Sequence, residues 1–141
     1  MTGPTTGERA APPPEFRRRV TATAEPLIEL RRALARWASA LGIAVELQED
    51  VVMAGYEAMA NTAEHAYRDG QAGVLDVVAT MRNGRITVVV TDHGTWKPPE
   101  DTHGLRGRGL LLIRGLAHES EYAQRPDGTT VTMRWNTAGD R

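Results

Sequence analysis

The hydrophobic period changes once along this chain, and that change limits the fold more than any other feature. In the first half apolar residues recur at helical spacing. Leu27, Ile28, Leu30, Leu34, Trp37, Ala38 and Leu41 form one such series, with Pro26 where a first helical turn tolerates it and Gly42 as the stop. A second, longer helix is predicted from about Val45 to Tyr67, ending near Asp69-Gly70, with Val45, Val52, Tyr56, Met59, Ala60 and Ala63 as its apolar set. After it the period becomes that of strands. Val74 to Met81 and Ile86 to Thr91 flank Asn83-Gly84, a strong hairpin turn, and Glu119 to Gln124 and Thr129 to Trp135 flank Pro126-Asp127-Gly128. Phe16 to Ala22 is short, basic and β-tolerant, as an edge strand would be, and Leu110 to Leu116 is a short apolar helix. Helices first and mainly antiparallel strands later predict an α+β fold, a two-layer sandwich with helices on one face of a mixed, mainly antiparallel sheet.

The chain has 141 residues, enough for one ordinary domain and its core, and contains no internal repeat. Residues 1–15, with Pro12, Pro13 and Pro14 consecutive, read as a flexible tail; residues 16–136 form the domain and residues 137–141 a frayed end. Seventeen basic and eighteen acidic side chains give a net charge of −1, so there is no electrostatic case for direct nucleic-acid or membrane binding. Cysteine is absent, which excludes disulfides and thiolate metal sites and fits the cytoplasm. No apolar run approaches the roughly 18–20 residues that span a bilayer, and an apolar signal-peptide core is missing.

Chemistry gathers at four places. Glu57, Asn61, Glu64 and His65 stand at i, i+4, i+7 and i+8 of the second helix and so share one polar face. Alone, that face is a solvated stripe. Three later segments change its meaning: Thr91-Asp92-His93-Gly94-Thr95-Trp96 closes a strand, Gly104-Leu105-Arg106-Gly107-Arg108-Gly109 runs into an apolar helix, and Gly128-Thr129-Thr130-Val131 opens the last strand. A carboxylate at a strand end can accept a hydrogen bond from the exocyclic amine of adenine, and a glycine two residues on lets the base approach the backbone. Glycine N–H groups at a helix N-terminus cradle anions, and Arg106 and Arg108 can pair with phosphates. The amide oxygen of Asn61 suits magnesium, and Glu57, one turn earlier, can accept a proton from an attacking hydroxyl.

In order and spacing the segments resemble the anti-sigma-factor serine/threonine kinases, a bacterial branch of the ATPase superfamily that includes gyrase, MutL and histidine kinases. Glu57 to Asn61 with His65-Ala66-Tyr67 resembles the family's N box, Asp92 to Trp96 its first glycine box, Gly107-Arg108-Gly109-Leu110 its second, and Gly128 to Val131 its closing threonine motif. The likeness spans roughly Phe16 to Trp135, and the chain has no Gly-x-x-x-x-Gly-Lys-[Ser/Thr] loop. It implies the Bergerat ATP-binding sandwich, with ATP and Mg2+ as cofactors. Glu57 would be the general base, Asn61 the magnesium ligand, Asp92 the adenine reader with Gly94 beside it, Gly104 to Gly109 the phosphate lid, and Thr130 a support of the adenine pocket. The implied partners are a sigma factor, which the family sequesters, and a small STAS-type antagonist that it phosphorylates on serine or threonine. A homodimer is usual in the family, and the first helix and the edge strand near Phe16 offer a surface for it.

Trp96 stands where the wider superfamily often has another glycine, and the lid is short, about fifteen residues from Gly94 to Gly109. His65 reads either as a phosphate contact or as a capping or packing residue, and Glu64 as solvated. His93 and His103 lack paired metal-ligand spacing. Trp37 and Trp135 read as core residues, and Arg17-Arg18-Arg19 as a solvated edge. Two other functions fit the same residues: a catalytically weak ATP-binding module acting by sequestration alone, and a detached histidine-kinase catalytic domain.

Overall fold

The structure, a computed structural model, describes residues 15–66 (backbone only at 65 and 66), 73–94 and 112–137. Its elements are β1 (Glu15–Thr21), α1 (Ala24–Ser39), α2 (Val45–Ala66), β2 (Val74–Arg82), β3 (Arg85–Asp92), β4 (Glu119–Arg125) and β5 (Gly128–Asn136), with a short helical segment at 112–116 before β4. The strands form one sheet in the order β1-β2-β3-β5-β4, and all four pairings are antiparallel. Glu15 already belongs to β1, and Thr137 donates from both N and Oγ1 to the Gly84 carbonyl.

Alternation along the strands builds the core. Leu75, Val77 and Ala79 of β2, Ile86, Val88 and Val90 of β3, and Val131, Met133 and Trp135 of β5 all point beneath the helices and are buried. Fully burying such a side chain contributes about 1.5–3 kcal/mol, so this face dominates the fold's stability. Asn83 (φ 52°) and Gly84 (φ 74°) are both left-handed, the pair a type I′ hairpin turn needs, and they lock the β2–β3 register that buries this set. Trp135 also donates from Nε1 to the Leu116 carbonyl at 2.8 Å, tying the short helical segment to the sheet.

Helix α1 buries Leu27, Leu30, Leu34, Trp37 and Ala38, as its periodicity predicts, whereas Ile28 lies 39% exposed. The Phe16 ring packs 6.1 Å from that of Trp37 and joins β1 to α1. The apolar stripe of α2 agrees with the expected one at Met59, in the core, and at Val52, Tyr56 and Ala63, packed against it, and departs from it at Val45. Val51, Ala54, Ala58 and Met59 are buried, Val52, Tyr56, Ala60 and Ala63 are only half-buried, and Val45 is 61% exposed. Helix packing is close here: a Cβ on Gly55 would stand 2.9 Å from Leu34 Cδ2 and 4.0 Å from Val88 Cγ1. Small residues make that contact, and a hydrophobicity pattern gives them little weight.

This packing yields a direct test. Gly55→Val puts branched carbons against the fully buried Leu34, and the overpacking is expected to cost about 1–3 kcal/mol despite the better helix propensity of valine. Chemical denaturation should show a lower midpoint; a variant as stable as the parent would contradict the close approach of α1 and α2.

A candidate nucleotide site at the ends of β3 and β5

Strand β3 ends on Asp92 and β5 begins on Gly128 and Thr129, and the register sets Asp92 opposite Thr129. By alternation Asp92 follows Ile86, Val88 and Val90 onto the core face, where it is 0% exposed. Burial of a carboxylate is costly unless hydrogen bonds satisfy it. Here Oδ1 accepts the Gly94 N–H at 2.9 Å and the Thr129 N–H at 3.3 Å. The first bond curls the chain back over Asp92 and sets the course of the backbone at 93–94.

Gly128 makes the corner possible. A Cβ there would fall 2.1 Å from the Asp92 carbonyl oxygen and 3.2 Å from His93 Cα, so no side chain fits between the two strand ends. Thr129, 1% exposed, is buried with its Oγ1 unpartnered among the described residues. An unpaired buried hydroxyl is destabilising, and beside a carboxylate at a strand end it fits a role toward a bound polar group. Thr130, expected in the pocket, has the opposite parity: it pairs with Thr91, faces away from the helices, and its Oγ1 accepts a bond from Arg125 Nη1 at 3.0 Å. The sequence reading thus chose the neighbour of the residue that shares the core face with Asp92. Parity was the available signal, because Val131, Met133 and Trp135 point inward and Thr129 must follow them.

Helix α2 packs on β3 and β5, the two strands that end in this corner. It carries Glu57, half-buried, Asn61, 6% exposed, and Glu64, exposed, so the helical face is graded from buried amide to solvated acid rather than uniformly wet. Asp92, Gly94, Gly128 and Thr129 are brought into contact; Glu57 and Asn61 lie on the helix that covers their strands. The His65 side chain and Gly104, Arg106, Gly107, Arg108, Gly109 and Leu110 lie outside the described residues, as do Trp96 and His103. Among the described residues no three His, Cys, Asp or Glu side chains cluster as a metal site.

On the solvent face the same strand end is tied differently. Arg19 forks onto Asp76, and His93 reaches the same carboxylate. The Arg19 guanidinium beside it, with a lesser contribution from His93, holds the Asp76 carboxyl below the usual carboxylate range. Its folded value being the lower one, the tie is in place above about pH 4 and is lost only as pH falls through that depressed value.

Comparison with known proteins agrees with this geometry. The family model of the histidine kinase-like ATPase domain matches residues 20–135. The chain is 28% identical over 131 residues to the serine-protein kinase RsbW of Staphylococcus aureus, covering 82% of each chain. It is 29% identical over 101 residues to the serine-protein kinase RsbW of Oceanobacillus iheyensis, covering 61% of this chain and 64% of that one. Among solved structures, the RsbU and RsbW domains of a Mycobacterium tuberculosis protein superpose with a TM-score of 0.72 at 24% identity, over 89% of this chain and 33% of that longer one. That likeness concerns the fold, an α+β sandwich. No helix among the described residues is long and apolar enough to cross a membrane. A family match over most of its length, on a sandwich whose buried acid and glycine corner suits a nucleotide, establishes that the chain belongs to the histidine kinase-like ATPase domain family.

Proposed function

We propose that the chain is an ATP- and magnesium-dependent protein serine/threonine kinase of the anti-sigma type, which sequesters a sigma factor and phosphorylates a STAS-type antagonist in the cytoplasm. The observation that carries the reading is the buried Asp92 corner with its unpartnered Thr129 hydroxyl, lying beneath a helix that bears an acid and an amide one turn apart. The relatives' names, serine-protein kinases, support the choice of a hydroxyl acceptor.

The roles follow from the chemistry of each group. Asp92 accepts a hydrogen bond from the exocyclic amine of the base, and Thr129, rather than Thr130, adds its hydroxyl from the facing strand. Asn61 offers a hard amide oxygen to magnesium. Glu57 accepts the proton from the attacking serine or threonine hydroxyl, which needs the half-exposed position it holds. ATP with its magnesium supplies the transferable γ-phosphoryl group and neutralises charge around it. Gly104, Gly107, Gly109, Arg106 and Arg108, with the following Leu110, are of the residue types that bind phosphate, and His65 follows Asn61 by four residues in the sequence. Phosphoryl transfer asks the protein mainly for positioning and electrostatics, and these residues are of the types that supply both.

A second copy of the chain completes the proposal. Strand β1 occupies the sheet edge beside α1, and its outer backbone groups can pair across a two-fold axis.

Three outcomes are expected. Glu57→Gln should lower transfer of labelled phosphate to an antagonist by about 100-fold or more while nucleotide affinity stays within about threefold. Undiminished transfer would remove Glu57 as the base, whereas sigma-factor capture without any transfer by the parent would favour the sequestration-only reading. Thr129→Val should weaken ATP binding by about tenfold and Thr130→Val by less than about twofold in the same titration; the reverse order would restore Thr130 to the pocket. Light scattering should give twice the 15.4 kDa chain mass, and a clean monomer would count against pairing through β1.

A further inference from the structure

The backbone that presents Asp92 and Gly94 is held from both faces of the sheet. On the core side Asp92 Oδ1 accepts the Gly94 N–H. On the solvent side His93, between them, donates from Nε2 to Asp76 Oδ2 at 2.9 Å. Asp76 sits opposite Thr91 in the register, so the His93 side chain reaches back across one strand to meet it. Asp76 is itself fixed: Arg19, its cross-strand partner on β1, donates from Nε to Oδ1 at 2.8 Å and from Nη2 to Oδ2 at 3.1 Å. A two-point guanidinium fork sets the plane of a carboxylate as one bond cannot. The chain Arg19–Asp76–His93 thus runs over three strands and ends on the residue between the base-reading acid and its glycine.

Its exposure argues against a role in holding the fold. The Arg19 side chain is 65% exposed, His93 48% and Asp76 26%, and ion pairs so placed add little to global stability. Their effect is local and geometric. Displacing the backbone at 93 stretches or breaks the His93–Asp76 bond, so the bond opposes that displacement, and a misaligned carboxylate loses a directional hydrogen bond quickly.

We propose that Asp76, set by Arg19, is a positioning residue for base recognition: through His93 it fixes the 92–94 backbone in the conformation that reads adenine. The inference rests on the reading that Asp92 receives the adenine amine, and the experiment separates the two. Binding of ADP and of GDP, each with magnesium, is measured by calorimetry for the intact chain and for D76A, H93A, D76A/H93A, D76N and D92N. D92N should abolish ADP binding. D76A and H93A should each weaken ADP binding by about five- to tenfold and leave GDP binding within about twofold, so that selectivity for the base falls while phosphate contacts persist. The double variant should be no weaker than the worse single one, because both remove the same tie. D76N, whose NH2 group replaces one accepting oxygen and cannot satisfy Arg19 and His93 together, should weaken ADP binding by about as much as D76A. A parent chain that binds no ADP would overturn the nucleotide reading and this inference with it. If the parent binds and D92N does not, yet D76A and H93A keep full ADP affinity and selectivity, or lose ADP and GDP equally, or combine additively, then the positioning role alone falls. His93 lies at the surface and away from the core, so H93A decides the matter even if D76A fails to fold.

Discussion

One buried carboxylate organises the end of this sheet. Asp92 is desolvated on the core face and would be costly there without partners, and among them are the N–H groups of Gly94, from the chain leaving β3, and of Thr129, from the start of β5. The acid therefore does two things with one geometry. It closes the corner between neighbouring strands, and it places a charged acceptor where the hydrophobic layer ends. Gly128 follows from the same bond, because the strands come together so closely that a single Cβ would collide with the Asp92 carbonyl. Changing either residue would open a corner that the rest of the core, from Val90 and Val131 inward, is stacked against.

How much of this could be read beforehand depended on which physical signal a residue carries. The strands were legible because alternation of Val, Ile and Thr leaves little freedom of face, and Asn83-Gly84 fixes the register of β2 on β3 through two left-handed residues. Asp92 and Gly94 stand two residues apart, and the Gly94 N–H bonds to the Asp92 carboxylate. On α2 the larger residues were legible in part, with Met59 in the core and Val52, Tyr56 and Ala63 packed against it; Ala54, Gly55 and Ala58 add shape rather than hydrophobicity and carry little signal, and Val45 lies in solvent. Thr129 and Thr130 raise the opposite difficulty. Two adjacent threonines have the same chemistry, and only the parity of the strand, readable from Val131, Met133 and Trp135, tells that Thr129 points inward.

The helix layer answers to the sheet in the same way. Because Gly55 lets α2 lie close to α1 and to Val88, the polar face of α2 is carried partly into the protein: Asn61 is nearly as buried as the core, Glu57 halfway, Glu64 not at all. That gradient matters for the chemistry proposed. An amide offered to a metal loses little by being sheltered, since it has no charge to desolvate, whereas a general base must stay ionised and within reach of an incoming hydroxyl. A small residue on the apolar stripe thereby influences the environment of two polar residues on its flank.

The solvent face of the sheet shows how an exposed ion pair can matter without stabilising much. Arg85, Arg134, Glu119 and Glu121 form a second charged group at the far side of the sheet, 2.7 to 3.9 Å apart, and they join strands that already pair along their whole length. Removing such contacts changes little, because the ladder beneath them is complete. Arg19, Asp76 and His93 differ in where the chain of contacts ends. His93 lies just past the last residue of β3, and its contact with Asp76 ties the chain there to β2 from the solvent side. An interaction that adds little over a paired strand gains weight, on the positioning role proposed, one residue beyond it, and that residue is the one between Asp92 and Gly94.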